Sequence, residues 1–192
     1  MPDNVLTTRN FEFFWGGWPS QWFKSDFVID GITYNCCEQF MMAEKARVFG
    51  DPLAETNILA TQNPGTQKSL GRQVRHFDPE VWNGVCRGIV YRANVAKYEQ
   101  DPELNHALLE TGDRTLVEAS PSDRIWGIGL HQTHPDAQNP AKWRGRNWLG
   151  IAITQARDEI NRRAGHSAPD FDSELRTQIN RRRSLNPIIQ NP

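Results

Sequence analysis

The sequence has few cysteines, almost no net charge and no long apolar run. Only three cysteines occur in 192 residues: Cys36, Cys37 and Cys86. Adjacent cysteines seldom bridge each other and no Cys-x-x-Cys pair exists, so we expect a reduced, intracellular and cytoplasmic protein. No apolar segment approaches the length that spans a bilayer. The opening MPDNVLTTRNFEFF lacks the basic start and apolar run of a secretory signal.

Several common catalytic signatures are also missing. The chain has no Walker loop, no G-x-G-x-x-G and no nucleophile elbow. His131 and His134 are three residues apart but lack a nearby glutamate or cysteine pair, so we expect no metal and no cofactor. The Cys36-Cys37 pair has no obvious histidine partner, which disfavours cysteine catalysis. A net charge of −1 gives no bulk attraction to nucleic acid, although it does not exclude a local basic groove.

Aromatic residues, by contrast, are abundant. Seven tryptophans and nine phenylalanines are many for this length. Some must be core, but such a surplus also suits stacking on planar ligands. The length fits one domain, which we place at residues 1–164, followed by a polar C-terminal extension at 165–192.

The residue pattern predicts an α+β fold, a single mostly helical domain with a small β-sheet. The sheet is expected to combine an N-terminal hairpin with the 115–130 region, which we interpret as a strand followed by loop and strand. In segment 78–101, the pattern predicts a buried side at Val81 or Trp82, Val85, Ile89, and Ala93 or Ala96. Strands are predicted at 11–15, 27–29, 32–34 and 115–120; helices at 36–49, 52–61, 66–74, 78–101, 102–110 and 147–163, with a weak one at 172–183; and a long loop at 131–145.

The first helix carries an acid and an amine on its apolar stripe. Glu38 and Lys45 are seven residues apart, so they lie roughly 20° apart around the axis and about 10 Å along it. Met41 and Met42 fill the space between them. A lysine held over apolar side chains loses solvation, which lowers its pKa and makes it a plausible nucleophile or acid.

Structural explanations of the same two residues remain open. Asn35-x-x-Glu38 resembles a capping box, which would explain the glutamate without catalysis. Lys45 could extend its amine to water along its aliphatic stem. For Glu38 or Lys45 considered alone, we favour the structural explanation over a catalytic role.

Three further segments suggest ligand binding. In VEASPSDRIWGIG, Asp123 follows a Pro-Ser turn, and glycines beside Trp126 would let a planar ligand approach the backbone, although an ordinary turn explains them equally. In GTQKSLGRQ, Lys68 and Arg72 share a face near a helix start, which suits a phosphate, but a solvated basic face is commoner. KWRGRNWLG alternates basic and aromatic residues, as expected for an anionic ligand that carries a base, unless Trp148 is core.

Together these segments resemble the YbiA-like, or NADAR ("NAD and ADP-ribose"), family over roughly residues 11–160. The long block TGDRTLVEASPSDRIWGIG is the most specific part. The chain departs from the family pattern in the segment WGGWPSQWFKSD, where many relatives have a simpler Ser-Asn-Phe type sequence. This difference concerns the residues expected at the rim of the substrate site, not the catalytic chemistry. The matching segments are FVIDGITYNCCEQFMMAEKA (27–46), KSLGR (68–72), WNGVCR (82–87), TGDRTLVEASPSDRIWGIG (111–129) and WRGRNWLG (143–150).

The resemblance implies an N-glycosidase that cleaves the bond between ribose and an amine-bearing base. It implies catalytic roles for Glu38, Lys45 and Asp123. Glu38 would shuttle protons, Lys45 would attack as a Schiff-base nucleophile, and Asp123 would orient ribose hydroxyls or activate water. The residues expected to bind substrate are Trp22, Lys68, Arg72, Trp82, Trp126, Gly127, Ile128, Gly129, Arg146 and Asn147.

Three functions compete. The first is removal of ADP-ribose from guanine in nucleic acid, with the polymer as partner. The second is hydrolysis of ribosylamino-pyrimidine phosphates of riboflavin synthesis, which needs one phosphate site. The third is a non-catalytic ADP-ribose-binding module, which would need the tryptophan and the phosphate grip but not the Glu38–Lys45 pair. No membrane partner is expected.

Overall fold

An Asp-Pro or Asn-Pro pair starts four of the helices. In the computed structural model, which describes residues 5–165, the side chain of the Asp or Asn accepts hydrogen bonds from the first turn, and the proline occupies a position that needs no N–H donor. The capping residues are Asp51, Asn63, Asp78 and Asp101. They open α2 (Pro52–Ala60), α3 (Pro64–Gly71), α4 (Pro79–Gln100) and α5 (Pro102–Leu109).

The first and last helices, α1 (Cys37–Val48) and α6 (Trp148–Arg163), begin without a side-chain cap. The capping box predicted at Asn35 is wrong, because Cys36 is the N-cap residue and the Asn35 amide donates to Gln62 instead. Asn147 does precede α6 as predicted, but with φ 53° and no capping bond. Glu38 is therefore not explained by helix capping.

The strands are β1 (Val5–Thr7), β2 (Phe11–Phe14), β3 (Phe27–Ile29), β4 (Ile32–Tyr34) and β5 (Thr115–Glu118). They form a mixed sheet in the order β1-β2-β5 and a separate β3-β4 hairpin. The predicted hairpin is confirmed, but its inclusion in the sheet is wrong, and β1 was not predicted.

The second strand predicted within 121–130 is also wrong. There the chain folds back on itself, and Gly129 N donates to Asp123 O at 3.1 Å. Hydrogen bonds within this turn thus take the place of the strand-to-strand hydrogen bonds that the prediction required. A short 3₁₀ helix, Pro140–Lys142, interrupts the predicted long loop.

Helix α1 lies at the centre and packs against α2, α3 and α4. It is therefore buried on most of its circumference, including Glu38 and Lys45. The buried side predicted for α4 is partly wrong, because Val81 and Val85 are exposed. Most residues in the first half of α4 are exposed, whereas most in its second half are buried. The helix packs against both α1 and α6.

The sheet also determines where functional residues can meet. Strands β2 and β5 are parallel, with Phe14 opposite Glu118, so their carboxyl ends lie at the same edge. The chain leaves β2 through Trp15 and two glycines with positive φ, Gly16 at 94° and Gly17 at 66°, a turn that favours glycine.

Within residues 5–165, no helix combines the length and apolar character needed to cross a membrane. The predicted helix at 172–183 lies outside the described residues. What is described is an α+β domain of six helices and small sheets, as the sequence predicted.

Candidate active site

A cleft of about 610 Å³ opens at the carboxyl edge of β2 and β5. Its walls come from the turn after β2, the buried side of α1, the end of α3, and the turn after β5. Three tryptophans, three carboxylates and three cationic side chains face it. The charged and aromatic residues that line it are Trp15, Trp22, Trp126, Glu38, Glu118, Asp123, Lys45, Lys68 and Arg72.

The carboxylates of the cleft influence one another. Burial raises the pKa of Glu38, against the opposing influence of Lys68, the Trp22 indole and Arg72, while Asp123 raises it further. Burial also raises the pKa of Glu118 to about 8, reinforced by the negative charge of Asp123. Glu118 is therefore mostly protonated at neutral pH and can donate a proton. The pKa of Glu38 is raised as well, and the charge of Lys68 limits that rise.

Lys45 is buried beside aromatic rings. Its Nζ lies 4.0 Å from the centroid of the Phe77 ring and 5.6 Å from that of Trp82. Burial first, and then the positive charge of Arg72, lower the pKa of Lys45. Within the described chain no ion pair joins Lys45 to Glu38. The two side chains share the cleft, with Met41 and Met42 alongside them, rather than forming a salt bridge.

Lys68 and Arg72 reach the cleft from the C-terminal end of α3. Lys68 lies in its last turn and Arg72 is the C-cap residue. Gly65 and Thr66, at the start of the same helix, do not line the cleft. The predicted combination of helix N-terminus and cations is therefore wrong, but the two cations do face one cavity. Lys68 Nζ also lies 5.7 Å from the ring centroid of Trp22.

Asp123 shapes the turn that follows β5. Its Oδ1 accepts hydrogen bonds at 2.8 Å from the N–H groups of Ile125 and Trp126. Those bonds hold Trp126 at the cleft, where its indole also meets Trp148 edge-on with centroids 5.8 Å apart. Asp123 thus positions a stacking surface while its carboxylate adds negative charge near Glu38 and Glu118.

The glycines beside Trp126 do not line the cleft. Gly127 and Gly129 are buried, as is Ile128 between them. An added Cβ at Gly127 would lie 2.8 Å from Glu118 O, and at Gly129 it would lie 3.0 Å from Arg144 Cβ. They permit close packing of protein segments. Their predicted role in substrate binding stays a prediction.

Three other predicted binding residues lie outside the cleft. Trp82 supports Lys45 from behind. Arg146 lines a neighbouring pocket. Asn147 is buried, and its side chain bonds the backbone of β5. The predicted substrate-binding roles of these three residues stay predictions. The predicted residues that do reach the cleft are Trp22, Lys68, Arg72, Trp126, Glu38, Lys45 and Asp123.

Sequence reasoning missed Trp15, Gln21 and Glu118. For Trp15 and Glu118 the signal was a position at the end of a strand, which becomes informative only once β2 and β5 are known to be parallel. Gln21 lies in the segment between β2 and β3, and no local pattern indicated it. Buried oxygens of Gln21 (Oε1) and Glu118 (Oε2) have no hydrogen-bond partner in the described part of the chain. Both residues line the cleft, and a polar ligand there would satisfy them.

The cysteines are reduced and buried. Burial raises the pKa of Cys36 to about 11 and that of Cys37 to about 12. Such thiols remain protonated at neutral pH, so they are poor nucleophiles.

Comparison with known proteins identifies the family. The NADAR domain family matches residues 13–161, most of the chain. The chain belongs to the NADAR family. The predicted resemblance is therefore confirmed.

Characterised relatives agree with this assignment. "N-glycosidase R617" of Acanthamoeba polyphaga mimivirus is 42% identical over 145 residues, covering 73% of this chain and 85% of the viral protein. "Riboflavin biosynthesis protein PYRR, chloroplastic" of Zea mays is 30% identical over 138 residues, which are 68% of this chain but 20% of the plant protein. This NADAR protein is thus an N-glycosidase, and the hypothesis of a non-catalytic binding module is set aside.

A solved structure has the same fold. The NMR structure of the Escherichia coli protein YbiA superposes with a TM-score of 0.69 and covers 88% of this chain and 95% of its own. The two sequences are 22% identical, so this likeness concerns the fold alone. It supports the single-domain α+β architecture.

Proposed function

We propose that this NADAR N-glycosidase hydrolyses the bond between ribose and the amine of ADP-ribosylated guanine in nucleic acid, releasing ADP-ribose. The observation that carries the proposal is one cleft that combines three indoles, a Lys68–Arg72 cation pair and a cluster of carboxyl groups. Indoles can stack on a base and the cations can hold phosphates. The volume of about 610 Å³ is within the range of cavities that bury a whole nucleotide-sized ligand.

Two buried carboxyl groups of the cleft, Glu118 and Glu38, suit this chemistry. Breaking the ribose–nitrogen bond develops positive charge on the sugar and requires a proton on the leaving amine. Glu118, with its raised pKa, supplies that proton. Burial raises the pKa of Glu38 and Lys68 limits that rise; in its ionised form Glu38 stabilises the sugar cation or removes a proton from the attacking water.

Lys45 offers a covalent route to the same products. The ribose ring opens to an imine with the guanine amine, and the neutral amine of Lys45 adds to the anomeric carbon. The carbon–nitrogen bond to guanine breaks as the leaving amine takes a proton from Glu118, and water then hydrolyses the lysine imine to release ADP-ribose. Burial beside Phe77 and the charge of Arg72 keep a larger fraction of this amine neutral.

A second candidate is hydrolysis of ribosylamino-pyrimidine phosphates. The similarity to the plant riboflavin biosynthesis protein favours it, and the Lys68–Arg72 pair could hold a single phosphate. The two substrates share the type of bond to be cleaved and differ in the base and in the groups attached to the ribose phosphate. They are therefore distinguished by substrate competition rather than by mechanism.

The decisive experiment supplies ADP-ribosylated guanine oligonucleotide, with and without borohydride, and follows products and intact protein by mass spectrometry. We expect free ADP-ribose and, with borohydride, a reduced sugar adduct on Lys45. Release without an adduct would retain the substrate but favour direct attack by water. Release only from ribosylamino-pyrimidine phosphates would overturn the proposed substrate.

Lys45→Arg separates the two routes, with Lys24→Arg as the matched control on an exposed lysine. Arginine keeps a positive charge but cannot form the imine. We expect a fall in kcat of at least about 10²-fold for Lys45→Arg and none for the control. Substantial activity in Lys45→Arg would exclude the covalent route.

A further inference from the structure

A second pocket of about 530 Å³ adjoins the active-site cleft. Its wall contains Arg124, Arg144 and Arg146, and we call it the arginine pocket. Ile125 lines both cavities, so they share a wall. The remaining lining residues are Asn83, Trp143 and Gly145.

The arginine pocket carries positive charge that the described chain does not neutralise. All three guanidinium groups are on exposed residues, and no acidic residue lines the pocket. None of the three forms an ion pair within residues 5–165, although most other arginines there do. Lys142 pairs with the carboxylate of Asp136 at 2.6 Å and is the main cause of its lowered pKa, to which the charge of Arg144 also contributes. Asp136 therefore forms its ion pair with Lys142 and not with Arg144.

The backbone that carries these arginines is held in place. Arg144 N donates to Ile128 O at 2.9 Å, and Arg146 N donates to Arg124 O at 3.1 Å. Between them, Gly145 packs so closely that an added Cβ would lie 2.2 Å from Gly127 O. Two neighbouring segments, 124–129 and 143–147, therefore present the guanidinium groups from a fixed platform, which lowers the ordering cost of binding.

Aromatic rings connect this charge to the active-site cleft. The guanidinium groups of Arg146 and Arg87 lie 5.0 and 5.2 Å from the ring centroid of Trp148. Trp148 in turn contacts Trp126, which lines the cleft. Interleaved cations and indoles along one surface are typical of proteins that bind single-stranded nucleic acid.

We propose that the arginine pocket binds the phosphodiester backbone of single-stranded nucleic acid next to the modified guanine. Its link to catalysis rests on the proposed function, whereas strand binding itself does not. A guanine inside a duplex could not enter the cleft without leaving the stack, so a single strand is the expected form. Guanidinium groups suit phosphate oxygens through paired hydrogen bonds.

Strand binding is tested with unmodified, fluorescently labelled single-stranded oligonucleotide and fluorescence anisotropy over a range of salt concentrations. The variant is the triple change Arg124→Gln, Arg144→Gln and Arg146→Gln. The control is Arg92→Gln, which also removes an exposed arginine, one that pairs with Asp30. Melting temperatures of all variants verify folding.

For the wild type, we expect log K to fall with log salt, and the triple variant to lose about 0.7 of slope for each phosphate contact removed. Its affinity at low salt should fall at least about 10-fold, with Arg92→Gln unchanged. Equal affinity of wild type and triple variant would overturn the proposal. So would equally tight binding of polyglutamate of the same charge, because that would show general attraction to anions.

Catalysis supplies a second, independent test. The triple variant should lose more kcat/KM on ADP-ribosylated oligonucleotide than on ADP-ribosylated guanosine, which has no phosphate on the guanine nucleoside. Equal losses on both substrates would overturn the inference while leaving the proposed function intact. If neither substrate is cleaved by the wild type, the proposed function fails and the anisotropy result alone decides the inference.

Discussion

Asn147 connects the start of α6 to the end of β5, next to Glu118, whose pKa burial raises to about 8. Its Oδ1 accepts from Glu118 N at 2.9 Å, and its Nδ2 donates to Leu116 O at 3.0 Å. Asn147 is buried and adopts φ 53°, which asparagine tolerates better than most residues. It is a positioning residue for Glu118.

The first prediction concerns Asn147. Asn147→Ala leaves two buried backbone groups unpaired and places alanine at a positive φ, so we expect unfolding to become easier by about 2 kcal/mol or more. Asn147→Gly loses the same hydrogen bonds without the backbone strain, so it should be destabilised less than Asn147→Ala, by a difference of about 1–2 kcal/mol. Urea denaturation measures both. Wild-type stability in Asn147→Ala would contradict the assigned role.

The second prediction is that deprotonation of Glu118 causes the enzyme to lose activity at alkaline pH. Because the pKa of Glu118 is raised to about 8, a proton donated by this group is available at neutral pH and lost above pH 8. We expect kcat to fall on that side, and Glu118→Gln to abolish most activity together with this limb. A pH–rate profile under single-turnover conditions tests it, and an unchanged alkaline limb in Glu118→Gln would assign the proton to another group.

The third prediction uses the same carboxyl group to predict a pH effect on stability. Its pKa rises from 4.5 when unfolded to about 8 when folded, so the folded state binds the extra proton between these values. Stability contributed by protonated Glu118 is therefore fully present below about pH 4.5 and lost as pH rises through 8, at up to about 1.4 kcal/mol per pH unit. Relative to wild type, Glu118→Gln should gain stability over this window in thermal melts. A pH-independent difference would contradict the raised pKa.

The fourth prediction concerns Lys68. Its positive charge is the largest of the influences that hold down the pKa of Glu38. Lys68→Met should raise that pKa further and shift the acidic limb of the pH–rate profile upward, in addition to weakening phosphate binding. Lys24→Met, on an exposed lysine outside the cleft, is the control. An acidic limb that stays in place would show that Glu38 does not need to ionise.

The fifth prediction tests the platform under the arginine pocket. Gly145→Ala would force a Cβ to within 2.2 Å of Gly127 O, so we expect a loss of about 1–3 kcal/mol in unfolding free energy. Gly88→Ala, in the exposed first half of α4 with no atom near its Cβ, should instead stabilise by about 0.5–1 kcal/mol. Chemical denaturation of both variants makes the comparison. Equal behaviour would contradict the packing argument.

Local patterns in the sequence were sufficient for much of the fold. The β3-β4 hairpin follows from the Asp30-Gly31 turn, and its strand ends agree with the prediction. Helices were found because Pro and Gly mark their ends and because their apolar spacing is regular. The capping box predicted at Asn35 was wrong because the side-chain amide of Asn35 donates hydrogen bonds to Gln62. Gln62 lies 27 residues away in sequence, and no local pattern reveals such a partner.

The sequence by itself determined the chemistry available: a buried acid and amine on one helix, the VEASPSDRIWGIG turn and two cations in GTQKSLGRQ. Only the tertiary structure decided which of these groups meet. The parallel pairing of β2 with β5 brings Trp15 and Glu118 to one edge, and the burial of α1 places Glu38 and Lys45 in the same cleft. Strand pairing and burial depend on contacts between residues distant in sequence, so they, and the pKa of Glu118 with them, lie beyond what local patterns can specify.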